Sequence, residues 1–344
     1  MEHALPRYLE SKRSVDERAL APRVRDRFVA ELPPEPTIVE AACGTGVTVP
    51  RLLSWGVDAG RYRGIDADDR IIPFARWIRP RELRRAGHDV PGDPAGRTAD
   101  AGCDPDFVAD DLAVSFAVGD ALDALAATED ADAVIAQAFA DLLPLSQLLS
   151  AAESALRPGG VAYLPITFDG GTILQPDHPA DDAVEAAYHA AIDDHPGRDA
   201  RAGRHLLDRL RRRDGDLLAV ESSDWVIRPR RGVYPADERA FLEQLLGFIE
   251  DAVGGRDVEG EPGVLARFER RQCELRFHHV DRLRVRCQRD YRASGSVWSP
   301  VPESTANGAV LADPDRRLEP VDAEGLLPGG RDLRRQLIGL GRVT

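Results

Sequence analysis

Three acidic residues of this sequence stand at or near the ends of apolar runs that predict β-strands. Glu40 lies near the end of the first run, Asp66 closes the second, and Asp120 follows the third. In an open α/β sheet, ligands bind outside the carboxyl ends of the strands. The sequence therefore predicts that these carboxylates meet at one site, where they can accept hydrogen bonds from hydroxyl and amino groups and attract a cation.

A turn of small residues separates the first predicted strand from a helical pattern that opens at Val47. Its sequence is Ala42-Cys43-Gly44-Thr45-Gly46. Glycine has no Cβ, so the backbone at Gly44 and Gly46 can come close to a ligand and adopt conformations that other residues avoid. Such a turn, between a strand and a helix, is typical of a nucleotide-binding site.

One interpretation of this turn is a dinucleotide site. Gly44 and Gly46 fit the glycine fingerprint, and Asp66 lies 20 residues beyond Gly46, where an acid would bind the ribose. The third small residue of the fingerprint is replaced by Val49. In addition, Glu40 would repel the phosphates, at about 4 kcal/mol for charges 4 Å apart with an effective dielectric near 20. An NAD-dependent dehydrogenase is therefore the disfavoured alternative.

The negative charge of Glu40, near the end of the first strand, would favour the binding of a cationic cofactor. S-adenosylmethionine has no phosphate and carries a sulfonium and an ammonium group. Glu40 can attract its amino-acid end, directly or through water. Asp66 can accept hydrogen bonds from both ribose hydroxyls, and Asp120 can accept one from the adenine amino group.

The order of these motifs resembles the class I S-adenosylmethionine-dependent methyltransferase family, in a poorly characterised bacterial and archaeal branch. "IVEAACGTG" is similar to its first motif, "YRGIDADDRIIPFAR" to the second and "AVGDALD" to the third; "ADAVIAQAFADLLP" and "ALRPGGVAYLPITFDG" are similar to the fourth and fifth. Ala42 departs from the family pattern, which has glycine there. The cofactor-binding residues that the resemblance implies are Glu40, Ala42, Cys43, Gly44, Gly46, Asp66, Ala67, Asp120, Ala121 and Gln137.

This resemblance implies methyl transfer by in-line displacement to an acceptor, for which a base is needed only if the acceptor must lose a proton. The candidate catalytic residues are Asp169, which follows the fifth strand, and His279, which can be oriented by Asp281. Asp169 could equally be a turn residue of its Asp-Gly-Gly sequence, and His279 a surface or strand-capping residue. In the arm before the first strand, Arg13 and Asp16 are predicted to form part of a lid.

Aromatic residues of the second half offer a further feature. Trp225 and Tyr234 could line an aromatic acceptor pocket, although a lone tryptophan is more often core packing.

The alternation of strands and helices predicts an α/β fold: a Rossmann-like, doubly wound, mostly parallel sheet with helical additions. A polar arm is predicted to precede a helix over 15–32, and helices are also predicted over 263–276 and 333–340, with a strand over 283–291. The predicted divisions are a lid over 1–32, a cofactor-binding core over 33–167 with a polar insertion at 86–112, a substrate-side half over 168–292, and a tail of low order over 293–344.

Composition limits the classes of function. The net charge is -14 and lysine occurs once among 45 basic residues, which suggests a halophilic protein and argues against a nucleic-acid partner. The cysteines form no CxxC pair, so no metal site is predicted. The sequence contains no apolar run of about 18 residues, so no membrane span is predicted. The N-terminus lacks a signal-peptide core, so a cytoplasmic protein is expected.

The sequence therefore predicts an enzyme with a small-molecule acceptor, and leaves open the identity of the acceptor, the methylated atom and the oligomeric state. A non-catalytic relative that only binds S-adenosylmethionine remains the second alternative, since binding residues are needed in either case.

Overall fold

The computed structural model describes residues 5–92, 105–174, 179, 181–254 and 336–342. All of them fall in one compact unit, whereas a second unit, Cys273–Leu333, lies outside the described residues. The strands of the described unit are β1 Thr37–Ala41, β2 Ala59–Asp66, β3 Phe107–Ala109, β4 Asp111–Val118, β5 Ala131–Ile135, β6 Leu156–Pro165, β7 Asp216–Ser223 and β8 Gln336–Arg342. Its helices are α1 Pro6–Ala19, α2 Pro22–Glu31, α3 Thr48–Ser54, α4 Ile71–Ala86, α5 Ala121–Ala126, α6 Leu145–Ala155, α7 Asp181–Asp193, α8 Ala202–Leu210 and α9 Glu238–Gly254.

These strands form one sheet in the order β3-β4-β2-β1-β5-β6-β8-β7. The five strands from β4 to β6 are parallel to one another, whereas β3 runs antiparallel to β4 and β8 runs antiparallel to both β6 and β7. This arrangement confirms the predicted Rossmann-like, mostly parallel sheet. The carboxyl ends of β4, β2, β1, β5 and β6 consequently open on the same edge.

Helices cover both faces of the sheet because its central strands are apolar on both sides. Ile38 and Val39 are neighbours in β1, and successive side chains of a strand point to opposite faces. Ile38 packs in a cluster with Phe28 and Leu52, from α2 and α3. Val39 packs in a separate cluster that includes Leu148 of α6. Burial on both faces is what a parallel strand between two helical layers requires.

The N-terminal prediction was wrong in its boundaries, because the predicted polar arm is itself helical. Two helices, α1 and α2, occupy the segment. Pro22 begins the second helix, and the residue before it, Ala21, is extended with ψ of 112°. Proline disfavours the helical conformation in the preceding residue and has no N–H to continue a helix, so the chain breaks there.

Three further differences concern short segments. The predicted insertion over 86–112 contains the end of α4 and strand β3, and α5 was not predicted. The helix predicted over 333–340 was wrong, since residues 336–342 form β8. Gly339 within the predicted helix and Gly341 just beyond it disfavour a helix, and a short apolar run does not reveal its period. The tail therefore contributes a strand. The helix and strand predicted over 263–276 and 283–291 lie outside the described residues, and the domain limits stay predictions.

Helix α1 lies over the carboxyl edge of the sheet and is fixed there by ion pairs. Arg13 pairs with Glu82 of α4, and Arg18 Nη1 lies 2.7 Å from Glu238 Oε1 at the start of α9. Glu238 is only 1% exposed. These contacts hold α1 across the end of the sheet, between two other helices.

Candidate functional site

A cavity of about 390 Å³ opens at the carboxyl edge of the parallel strands. Ligand sites of small-molecule enzymes commonly have about 300–1,000 Å³. The loops after β1, β2, β4, β5 and β6 form one side of it, and helices α1, α7 and α9 form the other. Its wall includes Tyr8, Leu9, Lys12, Asp16, Glu40, Ala42, Cys43, Gly44, Thr45, Asp66, Ala67, Asp120, Ala121, Gln137, Phe139, Asp141, Thr167, Phe168, Tyr188, Arg198, Trp225 and Phe248.

The small-residue turn after β1 forms the floor of the cavity. Asp66 fixes this turn, because its Oδ2 accepts a hydrogen bond of 2.9 Å from the backbone N–H of Gly44. Gly46 adopts φ of +74°, and a Cβ there would lie 2.5 Å from Cζ of Phe116. Gly46 therefore permits the packing beneath the turn and is not itself on the cavity wall.

Ala42 and Gly44 also have positive φ. Ala42, at φ of 54°, occupies the left-handed region that glycine normally fills. A Cβ on Gly44 would approach Leu9 of α1 to 3.2 Å, so α1 lies directly above the turn. The turn and the helix thus enclose this end of the cavity from two sides.

Glu40 is a buried acid on the cavity wall, only 2% exposed. Its Oε1 accepts a 2.8 Å hydrogen bond from Thr48 Oγ1, and its Oε2 accepts one from the Tyr62 hydroxyl. Burial raises the pKa of Glu40 to about 7, although these two hydrogen bonds and the charge of Arg51 act in the opposite direction. The side chain is therefore poised to lose its proton near neutral pH when a cation comes close.

The remaining predicted cofactor residues lie on the same wall. Asp120 caps helix α5, with Oδ1 accepting from the N–H groups of Leu122 (2.8 Å) and Asp123 (3.0 Å). Gln137 Oε1 accepts a 2.9 Å hydrogen bond from Nη1 of Arg51. The structure thus brings together every predicted cofactor residue except Gly46: Glu40, Ala42, Cys43, Gly44, Asp66, Ala67, Asp120, Ala121 and Gln137.

Asp169 occupies a different environment from the one predicted. Its carboxylate is 6% exposed and pairs with Nη2 of Arg204 at 3.1 Å. It also accepts a hydrogen bond from the Arg204 backbone N–H at 3.1 Å, and it is not among the wall residues. The structure thus favours the turn-and-support role for Asp169 over the acid role. His279 and Asp281 lie outside the described residues, so the prediction for that pair stays a prediction.

Of the predicted lid residues, Asp16 reaches the cavity wall and Arg13 does not. Arg13 instead anchors α1 through its pair with Glu82 of α4, and its second partner, Glu17, lies one turn further along α1 itself. Asp16 is 3% exposed and lies 3.7 Å from Lys12 Nζ. Asp16 thus forms part of the wall and Arg13 holds the helix in place, whereas the lid itself stays a prediction.

Of the two aromatic residues predicted to line an acceptor pocket, Trp225 is on the wall and Tyr234 is not.

Other wall residues were not predicted from the sequence. Asp141 lies within the motif after the fourth strand, and Tyr188 and Arg198 lie more than 40 residues further along the chain. Only Asp141 carried a usable signal, as a further acid beyond a strand end.

Several polar atoms on this wall are buried without a hydrogen-bond partner in the part of the chain that the structure describes. They are Asp16 Oδ1, Thr45 Oγ1, Asp141 Oδ1 and Trp225 Nε1. Leaving such atoms unsatisfied costs about 1–3 kcal/mol each. These atoms therefore have no protein hydrogen bond to lose when water or a polar ligand enters the cavity.

Across residues 5–92, 105–174 and 181–254, no group of three or more His, Cys, Asp or Glu side chains is arranged to hold a metal ion. Among the described helices, none is long and apolar enough to cross a membrane.

The sequence matches no model of a known protein family, and no curated protein matches it. Solved structures resemble it at low identity. The MccD protein is 14% identical over 94% of this chain and 97% of its own, with a TM-score of 0.43. An S-adenosylmethionine-dependent methyltransferase from Thiobacillus denitrificans, crystallised with S-adenosyl-L-homocysteine, is 18% identical over 73% of this chain and 87% of its own, with a TM-score of 0.38. The mycolic acid cyclopropane synthase CmaA1 is 14% identical over 74% and 75%, with a TM-score of 0.40. At these TM-scores the likenesses carry no weight in assigning a function.

Proposed function

We propose that this chain is an S-adenosylmethionine-dependent methyltransferase that acts on a small-molecule acceptor. The observation that supports this proposal best is the order of three carboxylates along one edge of the sheet. Strands β4, β2 and β1 are adjacent, and Asp120, Asp66 and Glu40 stand at or near their carboxyl ends in that order.

Neighbouring strands lie about 4.8 Å apart, so this row spans about 10 Å. An extended S-adenosylmethionine presents its adenine, its ribose and its amino-acid end in the same order. Asp120 would accept from the adenine amino group, Asp66 from the ribose hydroxyls, and Glu40 would face the cationic amino-acid end. Gly44, in the turn between them, leaves room for the backbone to approach the ligand.

When bound, the cofactor supplies an electrophilic methyl group on its sulfonium. The chain's own contribution is to position the acceptor in line with that group and to exclude water. Helix α1 and its anchors provide the cover. The loops after β5 and β6, which carry Gln137, Phe139 and Phe168, provide the wall beyond the cofactor end, where the acceptor would lie.

The part of the cavity beyond the cofactor end is suited to a small acceptor. Helices enclose one side of it, and aromatic side chains line its wall. The net charge of -14 opposes binding of a polyanion such as DNA or RNA.

The two alternatives have less support. An NAD site would place phosphates near buried Glu40 and would need a small residue where Val49 is fully buried in the core. The sheet also departs from the all-parallel dinucleotide-binding order, because β8 runs antiparallel between β6 and β7. A non-catalytic binding protein would have the same cofactor residues and can be separated only by turnover.

Formation of S-adenosylhomocysteine, followed by mass spectrometry, tests the proposal. The protein is incubated with S-adenosylmethionine and a mixture of metabolites below about 1 kDa. We expect product with the wild type and with Asp68→Asn, whose carboxylate pairs with Arg70 away from the cavity, and a strong loss with Asp66→Asn. Binding of the cofactor without any product would support the non-catalytic alternative instead.

A further inference from the structure

We infer that Asp141 is the general base that receives the proton of an acceptor hydroxyl group, and that Arg198 binds an anionic group on the same aromatic acceptor. The inference rests on the proposed methyl transfer and assigns the chemical class of its acceptor: a ring that carries a weakly acidic hydroxyl and a carboxylate or similar anion.

The first support is the position of Asp141. It lies after β5 and before α6, and its side chain is on the cavity wall. Its backbone carbonyl accepts a 3.1 Å hydrogen bond from the N–H of Asp199, which ties the two loops together. Its carboxylate atom Oδ1 is inaccessible to solvent and has no partner among the described residues. The side chain as a whole is partly exposed, so a ligand in the cavity can donate to this carboxylate without displacing a protein donor from Oδ1.

Arg198 is the second support. Its side chain is half-buried on the same wall, and the described residues provide it with no ion pair. Its positive charge lowers the pKa of Asp141, and its chain neighbour Asp199 is hydrogen-bonded to the Asp141 backbone, but no salt bridge between Arg198 and Asp141 is present among the described residues. An acid and a guanidinium that face one cavity separately can bind two different groups of one ligand.

The walls around this pair are aromatic. Tyr8 lies with its ring centroid 5.2 Å from that of Phe248 in an edge arrangement, and Phe168 lies 6.0 Å from Tyr188. All four rings line the cavity. Aromatic walls favour a planar ring through stacking and edge contacts.

The electrostatic surroundings suit Asp141 to a base. Burial raises the pKa of Asp141 and Asp199 adds to this, whereas its own backbone N–H, Lys12 and Arg198 lower it. The net effect is a rise, which makes the carboxylate more basic than an exposed aspartate and better able to accept a hydroxyl proton. Asp169, the other acid after a nearby strand, has its carboxylate bound to Arg204 and lacks this freedom.

In the proposed step, the acceptor oxygen attacks the methyl carbon while the bond from that carbon to sulfur breaks. The bonding electron pair stays on sulfur, which becomes a neutral thioether, and the hydroxyl proton passes to the Asp141 carboxylate. The products are a methyl ether, S-adenosylhomocysteine and a protonated Asp141, which returns its proton to solvent when the cavity opens.

Calorimetry with three probes tests this assignment on the full chain saturated with S-adenosylhomocysteine. The probes are 4-hydroxybenzoate, which has both groups, benzoate, which lacks the hydroxyl, and phenol, which lacks the anion. We expect 4-hydroxybenzoate to bind at least about tenfold more tightly than either of the others. Asp141→Asn should weaken only the two hydroxyl probes, and Arg198→Gln only the two acids, by about tenfold each.

A turnover readout separates a base from a mere binding group. With S-adenosylmethionine and 4-hydroxybenzoate, Asp141→Asn should lower kcat by about 100-fold or more, and the exposed-site control Asp208→Asn should leave it unchanged. If S-adenosylhomocysteine binds but none of the probes does, or if Asp141→Asn changes neither binding nor kcat, the inference is overturned while the proposed function stands. If S-adenosylhomocysteine itself does not bind, the proposed function fails, and this inference fails with it.

Discussion

Replacement of Glu40 by glutamine tests the electrostatics of the cavity floor. Burial raises the pKa of Glu40 from 4.5 to about 7. A difference of about 2.5 pKa units corresponds to about 3 kcal/mol, at about 1.36 kcal/mol per unit. Because the folded-state pKa is the higher one, protonation of Glu40 favours the folded state by this amount. The contribution to the free energy of unfolding is fully present below about pH 4.5 and is lost as the pH rises through about 7.

A cationic ligand reverses this balance, because it favours the charged carboxylate. Binding of S-adenosylmethionine should therefore release a proton from Glu40, and its affinity should rise by up to about tenfold per pH unit below about pH 7 and level off above it. Phosphates near Glu40 would favour the protonated acid, so the affinity of NAD would change in the opposite direction. The sign of the change in affinity with pH therefore distinguishes the two cofactors.

Isothermal titration at pH 6, 7 and 8 measures this slope, and two buffers with different ionisation enthalpies give the number of protons released. Glu40→Gln is nearly isosteric and can still bond to Thr48 and Tyr62, but it cannot titrate. We expect its affinity to be independent of pH and no proton to be released at this site. A wild-type affinity that is flat from pH 6 to 8, or a glutamine variant that keeps the wild-type slope, would refute the reasoning.

Three further predictions concern the turn and its cover. Ala42→Gly should stabilise the protein by about 0.5–1 kcal/mol in urea unfolding, because it relieves a left-handed strain of about 1–2 kcal/mol at some entropic cost. The control Ala41→Gly, in the strand, should destabilise the protein. Equal effects of the two substitutions on the free energy of unfolding would contradict the strain at Ala42. Gly46→Ala should lower the free energy of unfolding by about 1–3 kcal/mol, because its Cβ meets Phe116 and its φ is positive, and an unchanged urea midpoint would show that the turn can adapt. Deletion of residues 1–18, with folding checked by circular dichroism, should weaken binding of S-adenosylhomocysteine at least tenfold by removing α1 from the cavity; unchanged affinity would exclude a lid.

The elements that carry the cofactor residues could be predicted from sequence because each signal is local. An apolar run followed by an acid gives a strand end, and the parallel order of such strands brings Glu40, Asp66 and Asp120 to one edge. What surrounds each acid is not local. The hydroxyl that bonds Glu40 comes from Tyr62 on the adjacent strand, through the parallel pairing of β1 with β2, and single-residue patterns do not encode that contact.

The opposite wall of the cavity was harder to predict for the same reason. Tyr8 on α1 and Tyr188 on α7 reach it from segments far apart in the chain. Asp169 illustrates the converse, since its position after a strand suggested a site residue, but Arg204, 35 residues later, binds its carboxylate. In both cases long-range packing, which the sequence pattern does not contain, decides the role.

The most direct test of the central claim is cofactor selectivity, measured by isothermal titration in molar KCl with S-adenosylmethionine, S-adenosylhomocysteine and NAD. The matched variants are Asp66→Asn, which can still accept the Gly44 N–H, and Asp68→Asn, two residues away and off the cavity wall. We predict that the wild type and Asp68→Asn bind the first two ligands and not NAD, and that Asp66→Asn binds both at least tenfold more weakly. Binding of NAD alone, or full affinity of Asp66→Asn for S-adenosylmethionine, would contradict the account.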